Sequence, residues 1–339
     1  MKCVKINGPK DLVVSEIDKP ISKDGKVVIK VESCGICGSD IHYWVSGEPK
    51  GLVMGHEFAG EVVDPGSRDD LKVGDRVTGL PISPCGKCEA CKTGNPQYCK
   101  STWKEAVGLS LTNPGGYAEF TSCRPDLVRK IPDNMTYEQA AMVEPSAVSL
   151  HAVKLGNVKI GDKVLVIGAG IIGEMAIEFA KLNGASYVGV VEVNELRGKK
   201  AINIGKADKF YNALNENVID ELLKDSNGGF DVVIECCGNS SAITEAMTTV
   251  RPGGTIVLVG VSLSAVTVPL TATVLSEVTL KGAIAYTEKD FDDTISLISN
   301  KTIDVLKYID DIVPLEKANE SFERLTSGSD SAIKILFKP

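Results

Sequence analysis

Hydrophobic and polar positions alternate over short stretches in the first part of the chain, and this pattern predicts β-strands. The segment VVIKVE (27–32) has a period of two, and FAGEVVD (58–64) resumes strand character. Gly74 and Asp75, which precede RVTGL, are typical of a hairpin turn. Residues 34–57 contain turn glycines, and we expect them to form a loop. The region is therefore predicted to be rich in β-structure, with long functional loops.

From residue 161 the pattern changes to strands that alternate with helices. KVLVI (163–167) is a short, continuously apolar run, as in a parallel strand that is covered on both faces. A glycine turn, a helix pattern and a second strand follow it. Further units occur at FDVVIECCG (230–238), near 240–250, at PGGTIVLVG (252–260) and at VTLKGAIAY (278–286). This alternation predicts a doubly wound parallel sheet of the α/β class.

The remaining segments suggest how the chain is divided. Residues 134–153 have a helical pattern in two pieces, interrupted at Pro145. Late in the chain, FDDTISLISN and KANESFERL look helical and precede a final strand, AIKILF; we expect this tail to return to the first domain. We therefore assign residues 1–148 and 287–339 to one domain and residues 149–286 to another. A chain of 339 residues is long enough for each to bury a core.

Composition narrows the possible partners and location. The net charge is −8, so we do not expect nonspecific binding to nucleic acid or to an anionic membrane. No apolar run reaches the roughly 20 residues of a membrane helix, and the first residues lack the apolar core of a signal peptide. We therefore expect a cytoplasmic protein. In that setting ten cysteines indicate metal binding rather than a disulfide framework.

Four cysteines lie close together in CGKCEACKTGNPQYC (85–99). Two-residue spacers let consecutive thiolates converge on one ion, and a fourth thiolate returns from the end of the lobe. Four thiolates close a tetrahedral site, which is typical of structural zinc, and zinc would here substitute for a hydrophobic core. An iron–sulfur cluster and an unoccupied, reduced lobe are the alternatives. The four residues are Cys85, Cys88, Cys91 and Cys99.

The segment CGICGSDIHYW and the GHE that follows it contain many groups that could support catalysis. Spacing alone leaves open which thiol would bind a metal, since Cys34 and Cys37 form a CxxC pair. A histidine three residues after Ser39 favours a proton relay over an exposed loop position. Tyr43 and Trp44 could line a pocket or belong to the core. The candidate groups are the thiols of Cys34 and Cys37, the imidazoles of His42 and His56, the hydroxyl of Ser39 and the carboxylates of Asp40 and Glu57.

A further carboxylate, Glu144, lies among apolar residues just before Pro145. It could cap the next helix. A carboxylate in an apolar setting also requires a cation, so a metal partner is the second interpretation. His151, on the same predicted helix, is expected to pack or to cap.

GAGIIG, at the turn between a strand and a helix, is a dinucleotide-binding pattern. Its glycines permit the tight turn, the approach of a pyrophosphate and the close packing of helix on strand. Glu192, at the end of the next strand, can accept hydrogen bonds from ribose hydroxyls and would repel a 2′-phosphate, which favours NAD over NADP. Arg197 could instead serve a phosphate or be a solvated charge, and Cys236 and Cys237 are expected to be core thiols. The cofactor residues are Gly168, Gly170, Ile172, Gly173, Glu192 and Arg197.

Taken in order, CGICGSDIHYW, GHE, the four-cysteine lobe, VEP and GAGIIG resemble the zinc-dependent medium-chain alcohol dehydrogenases over essentially the whole chain. CGSDIHYW, GHE, VEPSAVSLHA and PLEKANESFE are most similar to the sorbitol (polyol) dehydrogenase branch. The resemblance implies a GroES-like β-rich catalytic domain and a Rossmann coenzyme domain. It implies an oxidoreductase that interconverts an alcohol or polyol and a ketone with NAD, as a homodimer or homotetramer. It also implies two zinc ions per chain, one catalytic and one structural.

The resemblance assigns metal-binding roles to residues of this chain. Cys37 and His56 would bind the catalytic zinc, whereas Cys34 would not. Glu57 would be a ligand, or a carboxylate beside the metal that exchanges with it. Glu144 stands where related enzymes have a second cysteine ligand, and it would bind zinc directly or through water.

The resemblance also assigns catalytic roles, and it leaves the substrate open. Ser39 would contact the substrate oxygen and His42 would continue the proton path. Animal polyol dehydrogenases have an Arg-Tyr pair where this chain has Ala285 and Tyr286, which weakens the case for sorbitol itself. The alternatives are a butanediol-type, sugar-phosphate or threonine dehydrogenase, the last disfavoured by the short loop at 46–53. A noncatalytic binding protein on the same fold is the alternative from another class.

Overall fold

The computed structural model of the protein describes residues 1–262 and 265–339. The chain forms two compact units. The first contains Met1–Pro145, Tyr286–Ser327 and Lys334–Pro339, and the second contains Ser146–Ala285 and Gly328–Ile333. The tail thus belongs mostly to the first unit, but one short segment of it groups with the second. The first boundary lies three residues earlier than we expected from the sequence.

The first part of the chain is mostly strands, as its alternation predicts. In the strand that contains VVIKVE, the side chains at 27, 29 and 31 are buried and Lys30 is exposed. In chain order the elements are β1 (Lys2–Gly8), β2 (Asp11–Glu16), β3 (Val27–Gly35), α1 (Gly38–Ser46), β4 (Glu57–Asp64), β5 (Arg76–Gly79), α2 (Glu89–Lys92), β6 (Phe120–Cys123), β7 (Val128–Lys130), α3 (Tyr137–Ala141) and α4 (Val143–Gly156).

Strands and helices alternate in the second unit, and the tail follows it. The second unit contains β8 (Lys163–Ile167), α5 (Ile171–Leu182), β9 (Tyr187–Glu192), α6 (Glu195–Asn203), β10 (Lys209–Asn212), α7 (Val218–Ser226), β11 (Phe230–Glu235), α8 (Ser240–Thr249), β12 (Val250–Leu258), α9 (Leu270–Leu275) and β13 (Thr279–Gly282). The tail contains α10 (Glu288–Ser299), β14 (Ile309–Val313), α11 (Ala318–Thr326) and β15 (Lys334–Phe337). Among the described helices, none has the length and apolarity needed to cross a bilayer.

The two units have different sheets. In the first unit, a seven-stranded sheet runs in the order β14-β15-β3-β4-β5-β7, with β6 paired to β3. In the second unit, the six strands are parallel and run β10-β9-β8-β11-β12-β13. The order reverses between β8 and β11, and ligands of such sheets bind beside the carboxyl ends of strands at this kind of reversal. The predicted α/β class is confirmed.

Two local predictions were wrong. The segment 34–57 is not a continuous loop, because α1 begins after Cys37 and ends at Gly47, whose φ of +71° closes the helix. Asp40 in the first turn accepts a hydrogen bond from the Cys37 amide (3.0 Å) and so caps the helix. The second error concerns the helix break, which lies at Met142 rather than at Pro145. Proline is tolerated in the first turn of a helix because its missing N–H needs no partner there.

Candidate active site and metal centres

Three side chains of the first unit converge on one point. The ligand atoms of Cys37, His56 and Glu57 all lie within 4.8 Å of one another. Cys37 is the residue that precedes α1, while Glu57 is the first residue of β4 and His56 immediately precedes it. Both His56 and Glu57 are buried. A helix start and a strand start thus present a thiol, an imidazole and a carboxylate to the same small volume.

Asp40 contacts the backbone of Cys37 and faces the imidazole of His56. Its side chain is fully buried; Oδ2 accepts hydrogen bonds from the Cys37 amide (3.0 Å) and the Tyr117 hydroxyl (2.7 Å), and Oδ1 lies 3.6 Å from His56 Nδ1. A carboxylate at this position orients an imidazole that binds metal through its other nitrogen. Burial alone would lower the pKa of His56, but the charges of Cys37 and Asp40 outweigh burial and raise it well above the ordinary value. From the sequence, Asp40 was a candidate carboxylate without a predicted role.

A buried lysine contacts the carboxylate of the group. Lys334 Nζ donates hydrogen bonds to Glu57 Oε2 and to the Ile36 carbonyl (2.8 Å), and the side chains of Lys334 and Glu57 are both fully buried. Glu57 Oε1, also buried, has no hydrogen-bond partner in the part of the chain that the structure describes. Sequence reasoning missed Lys334, although a lysine within the otherwise apolar strand AIKILF was a detectable signal.

Glu144 lies in the same unit but outside the group of three. The Tyr286 hydroxyl donates a hydrogen bond to Glu144 Oε1 (2.9 Å), and both residues are buried. Burial raises the pKa of Glu144 to about 7, and the nearby charge of Glu57 acts in the same direction. Tyr286, which matches the tyrosine of the animal Arg-Tyr pair, therefore uses its hydroxyl to hold a carboxyl group.

The remaining candidates of the segment 34–57 separate into two sets. Ser39 and His42 are half-buried and lie three residues apart on α1, where side chains are neighbours. Trp44 is buried and packs on Phe322, with ring centroids 5.6 Å apart, so it belongs to the core. Cys34 is fully buried and is not in the converging group.

The four cysteines of the lobe form a second group of converging ligand atoms. All four sulfur atoms lie within 4.8 Å of one another, and Cys88 Sγ and Cys91 Sγ are 3.6 Å apart. The Cys88 amide donates to Cys85 Sγ and the Cys85 amide donates to Cys99 Sγ, each at 3.3 Å. Cys85 is exposed, and none of the ten cysteines is in a disulfide. The backbone of the lobe therefore points hydrogen-bond donors at sulfur, which favours thiolates.

Charge is distributed unevenly among these thiols. Hydrogen bonds from the Ser101 hydroxyl and from the Cys85 amide lower the pKa of Cys99 to about 5. Burial and a hydrogen bond with Cys88 raise the pKa of Cys91 to about 12. Without a metal, the four thiols thus share protons rather than all ionising, and a bound divalent cation would ionise them together.

The glycine turn of the second unit has the geometry of a dinucleotide-binding loop. Gly168 has a φ of +101°, and a Cβ on Gly173 would lie 1.8 Å from the Gly168 carbonyl oxygen. A Cβ on Gly170 would meet no atom within 4 Å, so the start of α5 faces open space. Ile172 is partly exposed in the first turn of that helix. The first and third glycines are thus required by the turn and its packing, and the second leaves room for a ligand.

Glu192 lies at the end of β9 and holds the same turn. Its Oε2 accepts a hydrogen bond from the Ala169 amide (2.8 Å), and its Oε1 accepts from the amides of Val193 (2.8 Å) and Asn194 (2.9 Å). Arg197 is half-buried on α6. The glutamate is therefore already fixed by backbone amides, with carboxylate lone pairs left for further donors.

One prediction for the second unit was wrong. Strand β11 ends at Glu235, so Cys236 and Cys237 follow it instead of closing it. Cys236 is half-buried and Cys237 is exposed, so Cys237 is not a core thiol. A Cβ on Gly168 would lie 2.7 Å from Cys237 Sγ, which places this thiol beside the glycine turn.

Known families and proteins match both units. The family described as "Alcohol dehydrogenase GroES-like domain" matches residues 23–133, and "Zinc-binding dehydrogenase" matches residues 172–300. Sorbitol dehydrogenase from Bacillus subtilis (strain 168) is 31% identical over 351 residues, which cover 100% of this chain and 97% of the relative. The crystal structure of 2R,3R-butanediol dehydrogenase from Bacillus subtilis has a TM-score of 0.87 at 31% identity, covering 100% of this chain and 99% of that one.

A zinc-binding dehydrogenase from Sinorhizobium meliloti 1021, solved with NADP bound, has a TM-score of 0.89 at 28% identity and covers 100% of this chain and 99% of that one. The family matches span most of both units, and the sorbitol dehydrogenase covers the whole chain. The motifs that carried the resemblance lie at the sites described above. The chain belongs to the zinc-dependent medium-chain alcohol dehydrogenases, in their sorbitol dehydrogenase-like branch.

Proposed function

We propose that the protein is a zinc- and NAD-dependent dehydrogenase that interconverts a secondary alcohol or polyol and the corresponding ketone. The observation that carries the proposal is the convergence of Cys37, His56 and Glu57 within 4.8 Å, with His56 and Glu57 buried and Cys37 half-buried. Membership of the zinc-dependent medium-chain family supports alcohol chemistry, because relatives of the whole chain are alcohol and sorbitol dehydrogenases.

The donor atoms of the group fit a catalytic zinc ion. Thiolate, imidazole and carboxylate are the donors that zinc binds in proteins, and three protein ligands leave the fourth position for a substrate. Glu57 Oε1 is buried and none of the described residues bonds to it, so it is the kind of atom that a cation satisfies. Zinc bound there would act as a Lewis acid that lowers the pKa of a substrate hydroxyl. Glu144 would contribute through water, or would bind directly in place of Glu57, so that one position stays open for the substrate, as its position within the family suggests.

The side chains of α1 supply the proton path in this proposal. Ser39 Oγ would accept the proton from the substrate hydroxyl and pass its own to the His42 imidazole. His42 is half-buried, so its ring can exchange that proton with solvent. Asp40 keeps the neighbouring metal-binding imidazole of His56 in one orientation, because its Oδ1 faces Nδ1.

The second unit would bind the dinucleotide, which accepts the hydride. The open space at Gly170 and the amides at the start of α5 suit a pyrophosphate. The carboxylate of Glu192 would accept hydrogen bonds from ribose hydroxyls and repel a 2′-phosphate, so we propose NAD as the preferred cofactor. Arg197 supports the opposite preference, and the Sinorhizobium relative binds NADP.

A test of the cofactor uses Glu192→Ala with Glu195→Ala as its control. Glu195 is a neighbouring exposed acid whose carboxylate bonds Lys199. Each lost charged hydrogen bond costs about 1.5–3 kcal/mol, so we expect the NAD/NADP preference to fall about tenfold or more in the first variant only. An unchanged ratio would remove Glu192 from the cofactor assignment.

The four-cysteine lobe would hold a second, structural zinc ion. Four thiolates leave no position for a substrate, and the lobe offers sulfur atoms with backbone donors rather than a hydrophobic core. Metal analysis tests both centres at once. We expect two zinc ions per chain in the wild type and about one in Cys37→Ala, with the fold retained. A wild-type protein that contains a single zinc ion would contradict the catalytic assignment.

The substrate is best found by measuring the reduction of NAD with polyols, vicinal diols, sugar phosphates and threonine. We expect activity with a polyol or a small diol. Ala285 offers no cation to a polyol chain, and the Tyr286 hydroxyl already donates to Glu144, so toward a substrate it is left as a hydrogen-bond acceptor. Activity with none of the alcohols by a zinc-loaded protein would favour a noncatalytic binding role.

A further inference from the structure

Lys334 has a position that the proposed chemistry does not yet explain. It belongs to β15, the final strand of the first unit, and its side chain is completely buried. Lysine is almost never fully buried without a partner, because its ammonium group then loses all of its water. The partners here are Glu57 Oε2 and the carbonyl oxygen of Ile36. The Ile36 oxygen lies 2.8 Å from the lysine nitrogen.

Strand register explains how Lys334 reaches the metal centre. On β3, Gly35 pairs with Leu336 of β15 on one side and with Glu57 of β4 on the other. Lys334 precedes Leu336 by two residues, so both side chains point to the same face of the sheet. The backbone of Lys334 therefore lies on β15, one of the strands that flank β3. Its side chain reaches Glu57 on β4, the other flanking strand.

Gly35 leaves the space that this crossing requires. A Cβ at this position would lie 2.0 Å from Glu57 Oε2 and 2.8 Å from Lys334 Cε. Any side chain there would displace the ion pair. The middle strand thus has a glycine where the lysine and the glutamate meet, and this arrangement is independent of the metal-ligand spacing.

The contacts of the ammonium group determine which carboxylate oxygen is free. Oε2 of Glu57 is held by Lys334, whereas Oε1 is buried and has no hydrogen-bond partner among the described residues. The second bond of the ammonium group goes to Ile36, the residue before Cys37. The ammonium group of Lys334 therefore binds both the backbone next to Cys37 and one carboxylate oxygen of Glu57.

We propose that Lys334 is a positioning residue that holds Glu57 Oε2 and so presents only Oε1 to a metal bound by Cys37 and His56. This inference rests on the proposed function, because it requires a metal at that centre. In the absence of the ammonium group, both carboxylate oxygens would be available, and the coordination of the metal would change.

Cobalt(II) reports such a change without any measurement of activity, because its visible absorption depends on coordination number and ligand type. The protein is loaded with cobalt in place of zinc, and the spectrum of Cys37→Ser, which retains the lobe, is subtracted. We expect Lys334→Met to shift the remaining bands and to weaken binding at this centre by about 10–100-fold, the usual effect of losing such a partner. The control is Lys281→Met, whose lysine donates to the Leu155 carbonyl (2.9 Å) in the second unit.

A second pair of variants covers the case in which Lys334→Met does not fold, because it leaves Glu57 buried without a partner. Glu57→Gln and Glu57→Gln/Lys334→Met are expected to have the same cobalt spectrum, since Lys334 acts through Glu57. A folded Lys334→Met with the wild-type spectrum overturns the inference, and so does an effect of Lys334→Met that persists in Glu57→Gln. If wild type and Cys37→Ser bind equal amounts of cobalt, the proposed function fails instead.

Discussion

The two candidate metal centres differ in what holds their donor atoms in place. At the Cys37 centre, His56 and Glu57 are buried and each contacts a further buried side chain, Asp40 or Lys334. At the lobe, which is built of short turns, sulfur atoms accept hydrogen bonds from backbone amides and one of them contacts a serine hydroxyl. Cys85 is exposed. We therefore expect the first centre to be organised by the protein before a metal binds, and the lobe to depend more strongly on its metal for stability.

This difference follows from the chemistry that each centre would support. An open coordination position must keep its geometry when a substrate enters or leaves, and buried partners of the ligands provide that rigidity. A closed site of four thiolates has no such requirement, and its binding energy contributes directly to folding. Variants at the two centres should therefore differ in what they change: activity at the first and local stability at the second.

The largest effect is expected from Cys37→Ser. Loss of the Lewis acid removes several kcal/mol of transition-state stabilisation, so kcat/KM should fall about 10³-fold or more. The melting temperature should change little, because the surrounding partners remain. Steady-state kinetics and a thermal melt measure the two quantities. A variant that unfolds with the loss of one zinc ion would show that this centre, too, depends on its metal for folding.

The next largest effect is expected at the lobe, from Cys91→Ser. Structural zinc in small domains contributes about 10–16 kcal/mol through its four ligands, so one thiolate is worth about 3–4 kcal/mol, or about 10²–10³-fold in affinity. The lobe should lose its metal and become sensitive to protease between residues 85 and 99. The Cys37 centre should keep its metal. Activity at low temperature that falls as far as in Cys37→Ser would contradict the separation of the two centres.

A smaller effect is expected from Asp40→Asn, which removes the charge facing His56 Nδ1. The loss of such a partner costs about 10–100-fold in metal affinity. Competition with a chelator measures that affinity separately for the two centres. Asp75→Asn is a control in the same unit, because Asp75 pairs with Lys130 away from the site. Equal chelator resistance in wild type and Asp40→Asn would show that the imidazole needs no orienting carboxylate.

The features that the sequence predicted share one property: they are local. The spacing of the lobe cysteines, the glycine turn and its acidic residue 24 positions after Gly168 each lie within one short segment. Hydrophobic periodicity predicted the parallel sheet for the same reason, since each strand and helix carries its own pattern. Local patterns are set by the geometry of a turn or a strand, and they can be recognised without knowledge of tertiary contacts.

The features that were missed depend on contacts between segments that are far apart in the sequence. Lys334 and Glu57 are 277 residues apart, and they meet only because β15 and β4 flank Gly35. Glu144 and Tyr286, 142 residues apart, meet in the same unit. Neither pairing has a sequence spacing that predicts it. Helix α1 was missed for a different reason: the residue before it is Cys37, and cysteine is not among the residues that usually precede a helix.

The smallest effect is expected from Tyr117→Phe, which removes one of the two donors to Asp40 Oδ2. The ring packs edge-on against Phe337, with centroids 4.9 Å apart, and a phenylalanine preserves that contact. One hydrogen bond to a charged group is worth about 1.5–3 kcal/mol, of which only part should reach the metal through Asp40 and His56.

Metal affinity at the Cys37 centre should therefore fall by less than in Asp40→Asn, and the lobe should be unaffected. The same chelator competition measures both variants. In Asp40→Asn/Tyr117→Phe the effect should not exceed that of Asp40→Asn if the tyrosine acts on the metal through the aspartate, its shorter contact (2.7 Å, against 3.4 Å to the Gly35 carbonyl). Additive losses in the double variant would show that Tyr117 supports the centre by a second route, and the chain of buried contacts behind this centre would then be branched rather than linear.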